Sequence, residues 1–155
     1  MRVAAGPVVT LTVALTSVAG AQTSVEYAGG TAPQLAAGTH GLIALEDDRY
    51  LAFYMDKAAG KLQVRVAYDR VNLIEYGQQV DRRLALALII SPVFLLSKSR
   101  KHFLTIGYSG EDGKQQAMVF RVDKNSIRPT LVGLEARTGL KVQYQDEQAR
   151  KARNQ

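Results

Sequence analysis

The sequence predicts a mainly β protein closed by one C-terminal α-helix, an α+β fold. Three observations carry that prediction. Between Gly41 and Tyr76, four runs of strand length follow one another with turn residues between them. Between His102 and Val122, two more runs flank the turn Gly110–Lys114. After Val122 the apolar spacing changes from two to three and four, and Gly139 stops it. At 155 residues the chain has room for one ordinary domain with a core of its own.

The elements follow in order. Met1 and Arg2 give a short positive start, Val8–Val18 is apolar but for Thr and Ser, and Ala19-Gly20-Ala21 supplies small residues. That layout predicts a secretory signal over residues 1–21; the competing readings are an uncleaved anchor or an ordinary apolar strand. Residues 22–40, rich in Ala, Gly, Thr and Gln, read as a linker ahead of the domain at 41–144. Within the domain come GLIALE, YLAFYM, LQVRVAY and RVNLIEY, separated by EDDR, DKAAGK and a short turn. In the third run Leu62, Val64 and Val66 alternate with Gln63 and Arg65, a period of two that puts each set on its own face. A half-buried antiparallel sheet follows.

HFLTIGYS and QQAMVFRV, joined by GEDGK, form a hairpin, because Asp112-Gly113 favours a tight reversal. In NSIRPTLVGLEARTG, Ile127, Leu131 and Leu134 line one helical face, with Asn125 or Ser126 as cap and Pro129 close to the first turn. Gly139 ends the helix, and Arg137 suits the negative end of its dipole. KVQY reads as a short final extension, and 145–155 as a polar flexible tail.

GLIALEDDRYLAFY followed by LQVRVAYDRVNLIEYG, with SRKHFLTIGYSGEDGKQQAMVFRV after it, resembles the bacterial pleckstrin-homology-like (GRAM-like) domains. The resemblance covers about two thirds of the chain, from Gly41 to Gly139, and rests on pattern, without a diagnostic motif. It implies a PH-like antiparallel two-sheet barrel or sandwich, with the helix across one open end and an apolar insert between the two halves. It is also similar to exported bacterial proteins of unknown role that carry such an insert. Members that bind phosphoinositides place basic residues between the first two strands. On this reading that loop is Glu46-Asp47-Asp48-Arg49, largely acidic, which argues against the usual lipid pocket.

The insert, 82–101, is the oddest stretch. Thirteen residues, Leu84–Leu96, carry no charge, and Pro92 lies near their middle. As a helix they would rise about 20 Å against a hydrocarbon core of about 30 Å, so a full crossing is the weakest option. Three readings compete. The segment is core, or a hook that dips into a membrane and returns, or a patch that mates with another protein or another copy of itself. The candidate membrane- or partner-binding residues are the cations Arg82, Arg83, Lys98, Arg100 and Lys101 and the apolar Leu88, Ile89, Ile90, Pro92, Phe94 and Leu95. Ser91-Pro92 supplies a turn for the hook, since the residue before proline avoids the helical region.

Chemistry is sparse. There is no cysteine, so thiol catalysis, thiolate metal sites, disulfides and lipid attachment at a processed cysteine are all excluded. The two histidines, His40 and His102, are far apart in sequence; His40 reads as solvated. His102 stands beside basic residues whose like charge would lower its pKa. The carboxylates fall mostly in turns, where they serve the backbone. No calcium loop, phosphate loop or nucleophile elbow is present. Twenty Lys and Arg against 14 Asp and Glu give +6. Without residues 1–21 the balance is 19 against 14, or +5, suited to an anionic lipid surface, to other polyanions or simply to solubility. An exported chain without a reading motif gives no case for nucleic acid. The sequence therefore predicts a non-enzymatic, cofactor-free binding or scaffold module, exported to the periplasm or cell envelope. A small envelope hydrolase, or a structural or protein-interaction role in the envelope, is the alternative.

Overall fold

A computed structural model describes residues 22–55, 61–80, 89–90, 92 and 101–145, the side chain of Ile89 excepted. The signal expected at 1–21 and the tail at 146–155 lie outside the described residues.

The chain order is β1 (Gln22–Gly30), β2 (His40–Ala44), β3 (Tyr50–Met55), β4 (Lys61–Ala67), a 3₁₀ turn (Tyr68–Arg70), β5 (Val71–Gly77), β6 (Ile89–Ile90), β7 (His102–Ser109), β8 (Gln115–Val122), α1 (Lys124–Thr138) and β9 (Gln143–Tyr144). It is mainly β with one C-terminal helix, as the patterning predicts. The described strands form one sheet in the order β4-β3-β2-β1-β8-β7-β5-β9, with β6 also on β1.

Two strands depart from the sequence reading. Residues 22–30, expected as linker, are β1 at the centre of the sheet, pairing with β2 on one edge and β8 on the other. Thr23, Val25 and Tyr27 alternate inward, and a bulge between Tyr27 and Gly29 resets the register. Because β1 precedes His40, the loop between the first two strands is 31–39, which carries no charged residue. The acidic Glu46–Arg49 turn joins β2 to β3 instead. The second departure is Leu62. A bulge in β4 opposite Phe53 and Tyr54 inserts one residue and reverses the alternation, so Leu62 is 44% exposed while Val64 and Val66 are buried.

The sheet cannot be flat. From β4 to β5 every step is antiparallel, and the number of steps is even, so the two strands nominally point the same way. Yet only Tyr68–Arg70 join them. In a flat sheet the link would have to run back along a strand of about 23 Å, whereas three 3₁₀ residues advance about 6 Å. A twist of roughly 20–25° per strand accumulates to about 120–150° over the path and brings the end of β4 to the start of β5. Phe53 of β3 and Phe120 of β8 give an independent check. They are three strand spacings apart along the sheet, about 14 Å, but their ring centroids lie 5.3 Å apart across the interior.

The curled sheet encloses one main core, which includes Ile43, Phe53, Ile74, Leu104, Ile106 and Phe120. Helix α1 closes it with Ile127, Thr130, Leu131 and Leu134. Its N-cap position is Asp123, not Asn125 or Ser126: the Asp123 carbonyl accepts from the amides of Ser126 and Ile127 at 3.0 Å. Gly139 ends the helix in the left-handed region, φ 73°, donating its amide to Glu135 at 2.9 Å. The Thr130 hydroxyl bonds that of Thr23 at 2.7 Å and donates to the Ser126 carbonyl, which fastens the helix to β1. β9 runs parallel to β5, and the Gln145 amide donates to the Tyr76 carbonyl at 3.1 Å. The domain therefore extends to Gln145, the first residue of the expected tail.

Candidate functional site

The insert leaves the fold after β5 and returns at β7. Those strands are antiparallel neighbours, and Gly77 pairs with Phe103. The two roots are thus adjacent. They are also clipped together by side chains: the Tyr76 hydroxyl meets Nδ1 of His102 at 2.5 Å, and the two rings lie parallel, centroids 5.8 Å apart. Burial pulls the His102 pKa below its usual range, and the charge of Lys124 adds to the effect. The direction matches the sequence expectation, but the main cause is loss of water, and the cation concerned comes from the helix.

The insert is pinned at a second point. Ile89–Ile90 pair antiparallel with Gly29–Gly30 at the end of β1. The Ile90 side chain, 7% exposed, packs with Ala28, Phe103 and Val119 in a small cluster apart from the main core, with Val80 against it. This cluster covers a second apolar face, to which β1 contributes Ala28. Gly30 is required there: its φ is +147°, and a Cβ would collide with the Ala117 carbonyl.

Beside Ile90 opens an apolar groove of about 480 Å³, lined by Tyr27, Ala32, Pro33, Leu35, Ile90 and Pro92 among others. Pro92 is exposed. The Tyr27 hydroxyl is buried against the Ala32 backbone. Burial pushes its pKa up to about 12, partly offset by the Ala32 backbone, so the phenol stays protonated.

Of the sequence-predicted residues, Ile90 is buried, Pro92 exposed and Lys101 half-buried, while Ile89 contributes backbone pairing. Arg82, Arg83, Leu88, Phe94, Leu95, Lys98 and Arg100 lie outside the described residues. Tyr27, Ala28, Gly30, Val80 and Phe103 were not singled out by the sequence reading. The alternation Thr23, Val25, Tyr27 was the available signal for the strand that carries the first three.

One polar constellation lies elsewhere. Ser24, Glu26, His40, Arg121 and Asp123 line a pocket of about 270 Å³ on β1, β2 and β8. Glu26 is ion-paired with Arg121 and lies 4.0 Å from Nε2 of His40, whose side chain is 74% exposed. His40 is thus exposed, as expected, but it belongs to β2 and no linker. Ser24 has no hydrogen bond to His40 among the described residues, so a nucleophile–base pair is not assembled there. No group of three His, Cys, Asp or Glu that could hold a metal ion occurs among the described residues, and no described helix is long and apolar enough to cross a membrane. No protein-family model matches the sequence, and no curated protein matches it.

Proposed function

We propose that this chain is a non-enzymatic, exported binding module of PH-like architecture that attaches peripherally to an anionic membrane surface through the 82–101 insert. The observation that carries the reading is the adjacency of the insert's roots, Gly77 and Phe103. Arg82 and Arg83 follow Gly77 by five and six residues, and Lys98, Arg100 and Lys101 precede His102 by four, two and one. At about 3.5 Å per residue, covalent geometry alone keeps all five cations within roughly 20 Å of one patch. Each cation near an anionic leaflet contributes about 1 kcal/mol, less as salt rises. Exposed Pro92 and the adjacent apolar groove supply non-polar contact at the same end of β1.

The PH-like part rests on topology. Strands β1–β4 form a meander, β5, β7 and β8 form the other half of the curl, and the C-terminal helix closes the core. Export rests on residues 1–21, and the PH-like reading stands without it.

Flotation on vesicles tests the attachment. Residues 22–155 should float with vesicles containing phosphatidylglycerol, less so at high salt, and poorly with phosphatidylcholine alone. Neutralising Arg82, Arg83, Lys98, Arg100 and Lys101 together to Gln should abolish the difference. Protein that stays unbound under every condition rules the attachment out.

A further inference from the structure

The corner where β4 turns into β5 holds a third, larger recess that the insert does not touch among the described residues. It measures about 650 Å³ and runs along β4 towards the tip of the β7–β8 hairpin. One wall is β4 itself, the terminal strand of the sheet, which pairs only with β3 among the described residues. β4 and β5 are joined by Tyr68–Arg70 and do not pair with each other among the described residues, which leaves the recess beside their junction.

The charged lining is unusual. Arg65, Arg70, Asp69 and Glu111 all face this recess, and none of them takes part in an ion pair among the described residues. Arg65 is nevertheless held in place, with its guanidinium 4.5 Å from the Tyr50 ring centroid, while Arg49 lies 5.6 Å from the same ring. Stacking fixes the plane of a guanidinium and leaves its N–H fork free for a carboxylate. Tyr108, a half-buried phenol whose pKa burial raises, and Ser109 complete the polar lining. Exposed Leu62 adds an apolar contact at one end.

We propose that this recess binds an extended peptide, which adds as a strand to the free edge of β4 and seats an acidic side chain on Arg65 and Arg70. An unpaired strand edge offers backbone donors and acceptors that suit another extended chain, and side-chain sites along it supply selectivity. An edge without a partner among the described residues and one fixed guanidinium, Arg65, in the same recess point to a peptide, because a simple anion would use only the cations. Asp69 and Glu111 discriminate against an all-acidic ligand and favour a basic residue elsewhere in the same peptide. The bulge at the start of β4 limits regular pairing to Val64–Ala67.

The test uses residues 22–155 and fluorescein-labelled ten-residue peptides in which valine alternates with glutamate, lysine or serine, plus one that alternates glutamate and lysine between valines. Fluorescence anisotropy should show the mixed peptide binding best, then the glutamate peptide, with the lysine peptide at least tenfold weaker than either. Arg65→Glu with Arg70→Glu should cost at least tenfold for the first two, while Lys114→Glu on the hairpin tip should leave them unchanged. These side chains are exposed, so the variants should fold, which circular dichroism checks. Hydrogen exchange should slow at amides of Val64–Ala67 when the mixed peptide binds. Three results would each overturn the proposal: equal binding of all peptides, unchanged exchange along β4, or displacement of the mixed peptide by dextran sulfate at equal charge concentration. A dimer by sedimentation that excludes the peptides would give the β4 edge to a second copy and overturn it as well.

Discussion

Replacing Ile90 by Ala isolates the contact that fixes the insert to the sheet. The side chain is 7% exposed, against Ala28 and Val119, both 0%, and Phe103 at 3%. The change removes three carbons; at about 0.8 kcal/mol per buried methylene the transfer part is about 2.4 kcal/mol. The cluster is small and separate from the main core, so the site can partly collapse or take up solvent, and the cavity part should be small. The loss should therefore fall near the low end of the 2–5 kcal/mol range for such truncations, about 2–3 kcal/mol. For a chain of this length that corresponds to a fall in Tm of about 4–12 °C. Urea unfolding followed by far-ultraviolet circular dichroism would read it, with Val132→Ala as control. Val132 is 50% exposed on the outer face of α1, and its truncation should move stability by less than about 0.5 kcal/mol. If Ile90→Ala proves as neutral as the control, the insert is not anchored by this cluster, and the reasoning fails. The variant also bears on membrane attachment: if Ile90 inserts into lipid instead, stability in water will hold while flotation weakens.

Three other outcomes follow from the fold. Gly139→Ala should cost about 1 kcal/mol in a thermal melt, because φ is 73° and no atom lies near enough for a Cβ to clash or to gain contact. The hydroxyl pair Thr23 and Thr130 should show a coupling of about 0.5–1.5 kcal/mol in a double-mutant cycle to valine; additivity would mean that the pair does not fasten the helix. His102, with its folded-state pKa below 6.5, binds its proton more readily when unfolded. Its contribution is therefore in place above pH 6.5 and is lost as pH falls below that value towards the folded-state pKa. Urea midpoints from pH 7.5 to 5 should decline for the natural chain and decline less for His102→Gln; parallel slopes would refute the assignment.

Much of the fold was legible because burial imposes its period directly on sequence. The β7–β8 hairpin, the four runs from Gly41 to Tyr76 and the helix ending at Gly139 all show apolar spacing with turn chemistry between them. Residues 22–30 were harder. QTSVEYAGG alternates, but its inward positions include a threonine and its last two are glycines, so composition suggested linker. Gly30 is there because its φ is +147° and the Ala117 carbonyl of β8 leaves no room for a Cβ, a demand that no local pattern expresses. Leu62 failed for a related reason: a one-residue bulge in β4 reverses the faces, and bulges follow from pairing between strands. The basic and apolar character of the insert could be read from composition. Its anchoring at Ile90 could not, since the partners Ala28, Phe103 and Val119 come from three other strands.

By itself, the sequence determined the element types, the amphipathic helix, the exclusion of thiol chemistry and the oddness of residues 82–101, because propensity, period and residue inventory are local properties. Tertiary structure alone decided that a central strand precedes His40, that the insert's two roots are neighbours, and that β4 pairs only with β3 among the described residues, beside an arginine stacked on Tyr50. The cause is the pairing order of the strands, with the twist that accumulates along it. Twist is the same small rotation at every strand, and only its sum over the pairing order fixes which distant residues meet.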